Sequence, residues 1–349
     1  MQTATTAPVN DIRAAWRELK TAKKLRNREA ALALGISEAE LMASAVGDSV
    51  TRLEGDFRKL LKRVPELGTV MALTRNESCV HEKDGPYKDI SAEGMMGLAL
   101  GEEIDLRLFF NHWKHAYAVT EESARGTLQG LQIYDAAGGA VHKIYLRPAS
   151  DAAAYRKLVA DFTSPNQAPG ERVKAPAPRA VPRPDAEIDT AGLRTAWADL
   201  KDTHDFFGML RRFGMARTQA LRLGGADFAR KVPNSAARSV LEAAAAEQLP
   251  IMVFVGNQGC IQIHTGPVAN IKIMDRWVSV MDPGFNLHLR EDRIAQSWVV
   301  VKPTSDGVVT SVEIYDADSE LIAQFFGKRK PGIPENPTWR ALVARLFPA

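Results

Sequence analysis

Two cysteines in 349 residues leave no material for a disulfide-stapled scaffold. No run of about 18 apolar residues supplies a membrane-spanning helix. Charge of one sign is also missing: 45 Lys and Arg against 42 Asp and Glu give a formal net charge of +3. That excess is too small to mark a nucleic-acid partner by itself. Residues 1–10 carry neither the basic stretch nor the apolar core of a secretory signal, which predicts a reducing, cytoplasmic location. Chemical signatures are equally scarce. No Cys-x-x-Cys, Walker loop, Gly-x-Ser-x-Gly or His-Glu-x-x-His occurs, so zinc, phosphate-loop and nucleophile-elbow chemistries have no support. What is present is ordinary: 45% hydrophobic and 25% charged residues, the composition of a soluble folded chain long enough for two domains.

The first informative feature is an internal repeat. Ile12-Arg13-Ala14-Ala15-Trp16-Arg17-Glu18-Leu19-Lys20 returns as Leu193-Arg194-Thr195-Ala196-Trp197-Ala198-Asp199-Leu200-Lys201, a shift of 181. The same shift carries Asn76 and Cys79 onto Asn257 and Cys260, Gly85-Pro86 onto Gly266-Pro267, and Ile133-Tyr134-Asp135 onto Ile314-Tyr315-Asp316. Between the copies, Pro165, Pro169, Pro176, Pro178, Pro182 and Pro184 rule out a helix or central strand. The expected organisation is a repeat over 1–162, a proline-rich linker over 163–192 and a second repeat over 193–349.

Each copy opens on an amphipathic helix, with Ile12, Ala15, Trp16 and Leu19, or Leu193, Ala196, Trp197 and Leu200, at i, i+3, i+4 and i+7. Each closes on another, through Tyr155, Leu158, Val159 and Phe162, or Trp339, Leu342, Val343 and Leu346. Between them lie strand signals: the apolar runs 251–255 and 298–301, and alternation over 311–315 followed by a turn and a returning strand over 321–326. Helices at the ends of hairpin-linked strands predict an α+β fold with antiparallel sheets.

Two motifs invite chemistry. Ala33-Leu34-Gly35-Ile36-Ser37-Glu38-Ala39-Glu40-Leu41 has the outline of a helix-turn-helix, but its second helix carries Glu38 and Glu40 where DNA demands cations and amides. A helical hairpin packed on the sheet is the reading preferred over DNA binding. Among the seven histidines, His112 and His115 could share a helical face but bring no third ligand. His81, His142, His264 and His288 fall in strand-like segments. His204 stands apart, three residues past the opening helix pattern, where the first copy has Lys23. Places where one copy alone carries special chemistry are candidates for an asymmetric site. These include Lys302 against Glu121, Arg107 against His288, and Gln324 with Phe326 against Lys143 with Tyr145. One imidazole, several cations and several aromatic faces suit a flat, apolar, dianionic ligand containing a metal.

Four segments carry a resemblance: His204-Asp205-Phe206-Phe207-Gly208-Met209-Leu210, Gly259-Cys260-Ile261-Gln262-Ile263-His264-Thr265-Gly266-Pro267, Lys302-Pro303-Thr304-Ser305-Asp306-Gly307-Val308-Val309 and Gln324-Phe325-Phe326-Gly327-Lys328-Arg329-Lys330-Pro331-Gly332. They are similar to the bacterial hemin-degrading factor family, cytoplasmic heme-trafficking and heme-degrading proteins of the HemS/ChuS type. The resemblance covers nearly the whole chain. It implies two stacked antiparallel sheets flanked by helices, with one heme (iron protoporphyrin IX) in a cleft between the halves. It assigns His204 as the iron ligand and Arg107, with Phe109 beside it, to the distal side. Arg217, Lys302, Gln324 and Arg329 would contact the propionates and ring edge, and Phe254 and Phe326 would form the apolar wall. The family often has tyrosine where Phe326 stands, so one hydroxyl contact is missing here.

The residue chemistry agrees. Neutral imidazole is a good heme-iron ligand, and guanidinium offers the planar donor fork that matches a carboxylate. Arg107 stays protonated, so it can donate to distal water or an iron-bound oxygen but not ligate. The expected function is heme degradation, with reductant- and O₂-dependent ring opening and iron release, in which Arg107 and His204 act directly and an electron donor is the partner. The alternative is a carrier that takes heme from an inner-membrane transporter or delivers it to a separate heme oxygenase.

Overall fold

The computed structural model describes residues 9–123, 126–179, 181–330 and 332–347. Residues 1–8 of the leader reading and Pro331 of the last motif lie outside the described residues.

The first half runs α1 (Val9–Ala22), α2 (Asn27–Leu34), α3 (Glu38–Ala43), β1 (Val50–Leu53), α4 (Phe57–Arg63), β2 (Thr69–Arg75), β3 (Cys79–Pro86), β4 (Ile90–Glu93), β5 (Met96–Leu100), β6 (Asp105–Phe109), β7 (His115–Ser123), β8 (Gly126–Tyr134), β9 (Ala140–Leu146) and α5 (Ala152–Phe162). The second half follows as α6 (Thr190–Ala198), α7 (Asp205–Phe213), α8 (Arg217–Leu223), β10 (Ala229–Val232), α9 (Ala236–Ala246), β11 (Ile251–Gly256), β12 (Cys260–Gly266), β13 (Ile271–Met274), β14 (Trp277–Asp282), β15 (Phe285–Arg290), β16 (Gln296–Thr304), β17 (Gly307–Tyr315), β18 (Leu321–Gly327) and α10 (Pro337–Ala344). The strands form two nine-stranded antiparallel sheets, ordered β1-β7-β8-β9-β2-β3-β15-β14-β13 and β10-β16-β17-β18-β11-β12-β6-β5-β4. The fold class is α+β, as the sequence predicts.

The chain forms two compact units, and each takes six residues from the other half of the sequence. The first comprises residues 1–75, 82–177 and 257–262, and the second residues 76–81, 178–256 and 263–349. In the first unit Asn257 Nδ2 donates to the carbonyls of Arg75 and Val141, while its Oδ1 accepts from the amides of Gly259 and Cys260. In the second, Asn76 Nδ2 donates to the carbonyls of Gly256 and Ile322, and its Oδ1 accepts from Ser78 and Cys79. A half-buried side-chain amide thus supplies backbone partners where the strand ladders leave them open. Cys79 and Cys260 are free, buried thiols.

Each unit has a core on either side of its larger set of strands. In the first, Leu60 and Leu61 of α4 and Tyr155 and Leu158 of α5 pack with Val70, Ile133 and Ile144, together with Ala99, Leu106 and Leu108 of β5 and β6. Ile12 and Trp16 of α1 and Leu41 and Met42 of α3 pack with Tyr117, Val119 and Tyr134. In the second unit Val240, Trp339, Val253, Val312, Ile314 and Leu287 make one core. Leu193, Trp197, Phe206, Met209, Leu221, Trp298, Val300 and Tyr315 make the other. The period-2 alternation of β17 explains both: Val312 and Ile314 face the α9–α10 side, and Ser311, Glu313 and Tyr315 face α6–α8.

Gly35 closes α2 at φ 67 and Gly214 closes α7 at φ 63, left-handed conformations that favour glycine. Five of the six residues of α3 are buried, Glu38 among them. That helix keeps no face for a DNA groove, and the packed hairpin is what forms. His112 sits in a single 3-10 turn and His115 begins β7, so the two share no helix face. His115 instead lies 3.3 Å from Glu171, which also accepts from Tyr117 and Arg52. These bonds hold the start of the proline-rich segment on the first unit. Burial would raise the Glu171 carboxyl, but His115 and Tyr117 hold it down at about 2.

Candidate functional site

Seven of the residues singled out from sequence belong to the second unit: His204, Arg217, Phe254, Lys302, Gln324, Phe326 and Arg329. Arg107 and Phe109 belong to the first. On β6, Leu106 and Leu108 point into the core, which leaves Arg107 and Phe109 on the other face, both half-buried. Arg107 Nη1 donates to the Asp105 carboxylate and to the Leu106 carbonyl.

His204 immediately precedes helix α7, and its side chain is 90% exposed. Asp202 Oδ1 accepts from the His204 amide at 2.8 Å and pairs with Nδ1 at 2.5 Å. The backbone bond, opposed by burial and helped by the ring contact, holds the Asp202 carboxyl below the usual carboxylate range. A proton on Nδ1 leaves the Nε2 lone pair outward, and Nε2 has no protein partner among the described residues. Next along the helix, Phe207 is 61% exposed, with Arg211 over its ring at 5.0 Å. The Ser305 amide donates to the Lys201 carbonyl, which brings the β16–β17 turn to this loop. Arg329 lies 3.6 Å from Asp306 of that turn, and its positive charge also helps lower Asp202. Its Nε is buried without an acceptor among the described residues.

Beneath α7, the α6–α8 face of β16–β18 carries a buried polar cluster. Glu313 on β17 is wholly buried. It accepts from Arg217 Nε and Nη2 at 2.8 and 2.7 Å, Lys302 Nζ at 3.1 Å and Gln324 Nε2 at 2.9 Å. Ser311 and Tyr315 add hydroxyl donors at 3.0 and 2.5 Å. Phe206, two residues past His204, lies under both cations, with Arg217 and Lys302 at 5.0 and 4.7 Å from its ring centre. Burial alone would raise Glu313, but Arg217 and Lys302 hold it well below the carboxylate range. Burial lowers Lys302 to about 8 against the pull of Glu313. Two cations therefore face one carboxylate. Alongside, Phe254 pairs with Gln324 across β11 and β18, and the Phe254 and Phe326 rings meet edge-on at 5.1 Å.

The structure thus joins Arg217, Lys302 and Gln324 through Glu313, sets Phe254 and Phe326 together, and brings His204 and Arg329 to one loop cluster. Sequence reasoning missed Glu313, Asp202, Phe206 and Tyr315. The copy comparison held the signal for Glu313, which stands opposite Gln132. A cavity of about 220 Å³ between α9 and α10, lined by Ser235, Ser239, Leu342 and Arg345, contains none of these residues.

The model of the haemin-degrading HemS.ChuX domain matches the chain twice, over residues 35–162 and 214–346. The chain belongs to the HemS.ChuX family. Hemin transport protein HmuS of Yersinia pestis is 41% identical over 92% of this chain and 92% of its own length. Among solved structures, the heme-binding protein PhuS of Pseudomonas aeruginosa in its holo form superposes with a TM-score of 0.95 at 48% identity, covering 98% of this chain and 99% of that one. The heme-degrading enzyme ChuS of Escherichia coli O157:H7 gives 0.92 at 38% identity, covering 98% and 100%. No helix among the described residues is long and apolar enough to cross a membrane. As a HemS.ChuX protein, the chain has an imidazole with a free Nε2, an orphaned guanidinium nitrogen and a surplus buried cation in one unit. Those features fit an iron porphyrin with two carboxylates.

Proposed function

We propose that this chain binds heme through His204 and degrades it in the use of heme iron. The observation that carries the reading is the His204 side chain: exposed, held at Nδ1 by Asp202, and presenting an unpartnered Nε2. Bound heme supplies the redox-active iron and is itself the substrate, with O₂ and an electron donor as co-reactants. The protein's part is placement. His204 binds and Asp202 fixes its tautomer, as partners of ligating histidines do. Arg329, Arg217, Lys302 and Gln324 receive the propionates, and Phe254 and Phe326 cover apolar ring surface at roughly 25 cal/mol per Å² buried. Arg107 stays charged and would act as a hydrogen-bond donor that orders water or a ligand oxygen on the distal side. The relative at 38% identity described as a heme-degrading enzyme supports this reading.

The second reading is a heme carrier, favoured by the transport description of the Yersinia pestis relative and by the openness of His204. An absorbance time course of hemin-loaded protein in air, with ascorbate as reductant and catalase present, separates the two. Soret loss with a bilin product and released iron is expected. A stable Soret band overturns degradation in favour of carriage. An unchanged ferric spectrum and affinity in His204→Ala overturns the ligand assignment.

A further inference from the structure

Glu313 is out of reach of any ligand, yet it organises every donor of the cluster. A carboxylate offers about four lone-pair sites. Glu313 receives six hydrogen bonds, from Arg217 twice, Lys302, Gln324, Ser311 and Tyr315, and is wholly buried. It has no capacity left to meet a ligand. Arg217 and Lys302 do have capacity. Arg217 bonds through Nε and Nη2 alone, and Lys302 uses one of its three ammonium protons. We propose that Glu313 is a positioning residue of this site, keeping Lys302 charged and aimed so that the ligand is recognised by its free carboxylate. The inference rests on the heme-binding reading above.

The charges facing Lys302 are few. Glu313 attracts it, Arg217 opposes it, and the Tyr315 phenol, raised well above its ordinary value by burial and by Glu313, stays neutral. Phe206 covers the ammonium from α7. An ammonium in such surroundings keeps its proton at neutral pH only while a carboxylate faces it. The fold does not demand this set. At equivalent positions the first copy has Gln132 for Glu313, Glu121 for Lys302, Lys143 for Gln324 and Ile36 for Arg217. A carboxylate at the place of Glu313 is therefore a choice of the second copy.

The test compares hemin with its dimethyl ester, which lacks the free carboxylates, in full-length protein across pH 6 to 10. A ligand carboxylate favours the protonated lysine, so preference for hemin over the ester falls once Lys302 deprotonates, by up to about tenfold per pH unit. In the native protein the fall begins near pH 8, where burial sets Lys302. Glu313→Gln is expected to start the fall at least one unit lower, and Glu313→Asp to restore the native profile. A folded Glu313→Gln protein that loses affinity for both ligands alike, with the fall unmoved, overturns the proposal, because a merely structural role does that. If Glu313→Gln does not fold, Lys302→Arg decides: a guanidinium stays charged, so the fall should vanish, and its persistence overturns the proposal. Failure of the heme reading looks different, as hemin binding insensitive to His204→Ala at every pH.

Discussion

The two copies place a polar cluster at the same point of the same strands and charge it differently. In the first unit the positive partner is Lys143 of β9, which donates to Glu38 of α3 and sits 5.8 Å from the Tyr134 ring centre. Gln132 bridges the Tyr134 and Tyr145 hydroxyls, and Glu121 takes Lys20 at 3.5 Å and Asn27 at 2.8 Å. Every charge there has its answer inside the protein. In the second unit Arg217 and Lys302 share Glu313, and one positive charge is left over. A closed network stabilises the unit that contains it. An open one stores an electrostatic imbalance that an anionic ligand relieves. Duplication supplied two scaffolds, and a few charge exchanges closed one cluster and left the other with a surplus cation, the cluster that the proposal above gives to the ligand.

The largest expected effect breaks the closed cluster. Glu38→Ala leaves Lys143 buried without its carboxylate, which should cost about 3–5 kcal/mol in urea unfolding. The hemin spectrum should not change, since Glu38 belongs to the first unit's network. A loss under 1 kcal/mol would show that the closed network does not stabilise its unit. Next, His204→Ala should weaken hemin binding on the order of 100-fold, beyond what second-sphere changes cost, and remove the histidine-ligated spectrum. Lys23→Ala, at the equivalent position of the first copy, should leave titration and spectrum as they were. Equal effects would erase the asymmetry. Asp202→Asn keeps the shape but loses the charged acceptor for His204 Nδ1, with an expected loss of about tenfold in affinity. The smallest effect compares two tryptophans. Trp197 Nε1 donates to the Val301 carbonyl at 2.9 Å, whereas Trp16 Nε1 is buried without an acceptor among the described residues. Trp197→Phe should cost about 1 kcal/mol more than Trp16→Phe in thermal unfolding.

The parts legible in the sequence are those written in periodicity and in the shift of 181. The amphipathic stripe of Ile12, Trp16 and Leu19 became α1, and the alternation around Val312 and Ile314 became β17 with its two faces. Short hairpins were harder. Residues 271–274 form β13 with three exposed positions and one half-buried, a strand that buries too little to leave an alternating pattern. At the site, His204 stood out because its equivalent is a lysine, and the cations stood out in the same way. Glu313 did not, because a glutamate amid Val312, Ile314 and Tyr315 reads as the polar face of a surface strand. Only the packing of α6–α8 over that face makes it a buried anion. Asp202 was hidden for a related reason: its role depends on the loop before α7, where backbone and ring bonds converge on one oxygen.

The exchange of 76–81 for 257–262 has a consequence for synthesis on the ribosome. Cys260 is part of the first unit's core, and the Gly259 carbonyl accepts from the Phe109 amide and from Trp113 Nε1. Those atoms do not exist until translation has passed well into the second half. At roughly 5–20 residues per second, the rest of the first unit waits several seconds with a gap where residues 257–262 will lie. The unpaired amide of Phe109 and the indole of Trp113 stay wet during that interval. The first-made unit is therefore sealed late, and a chain broken off before Gln262 leaves it open.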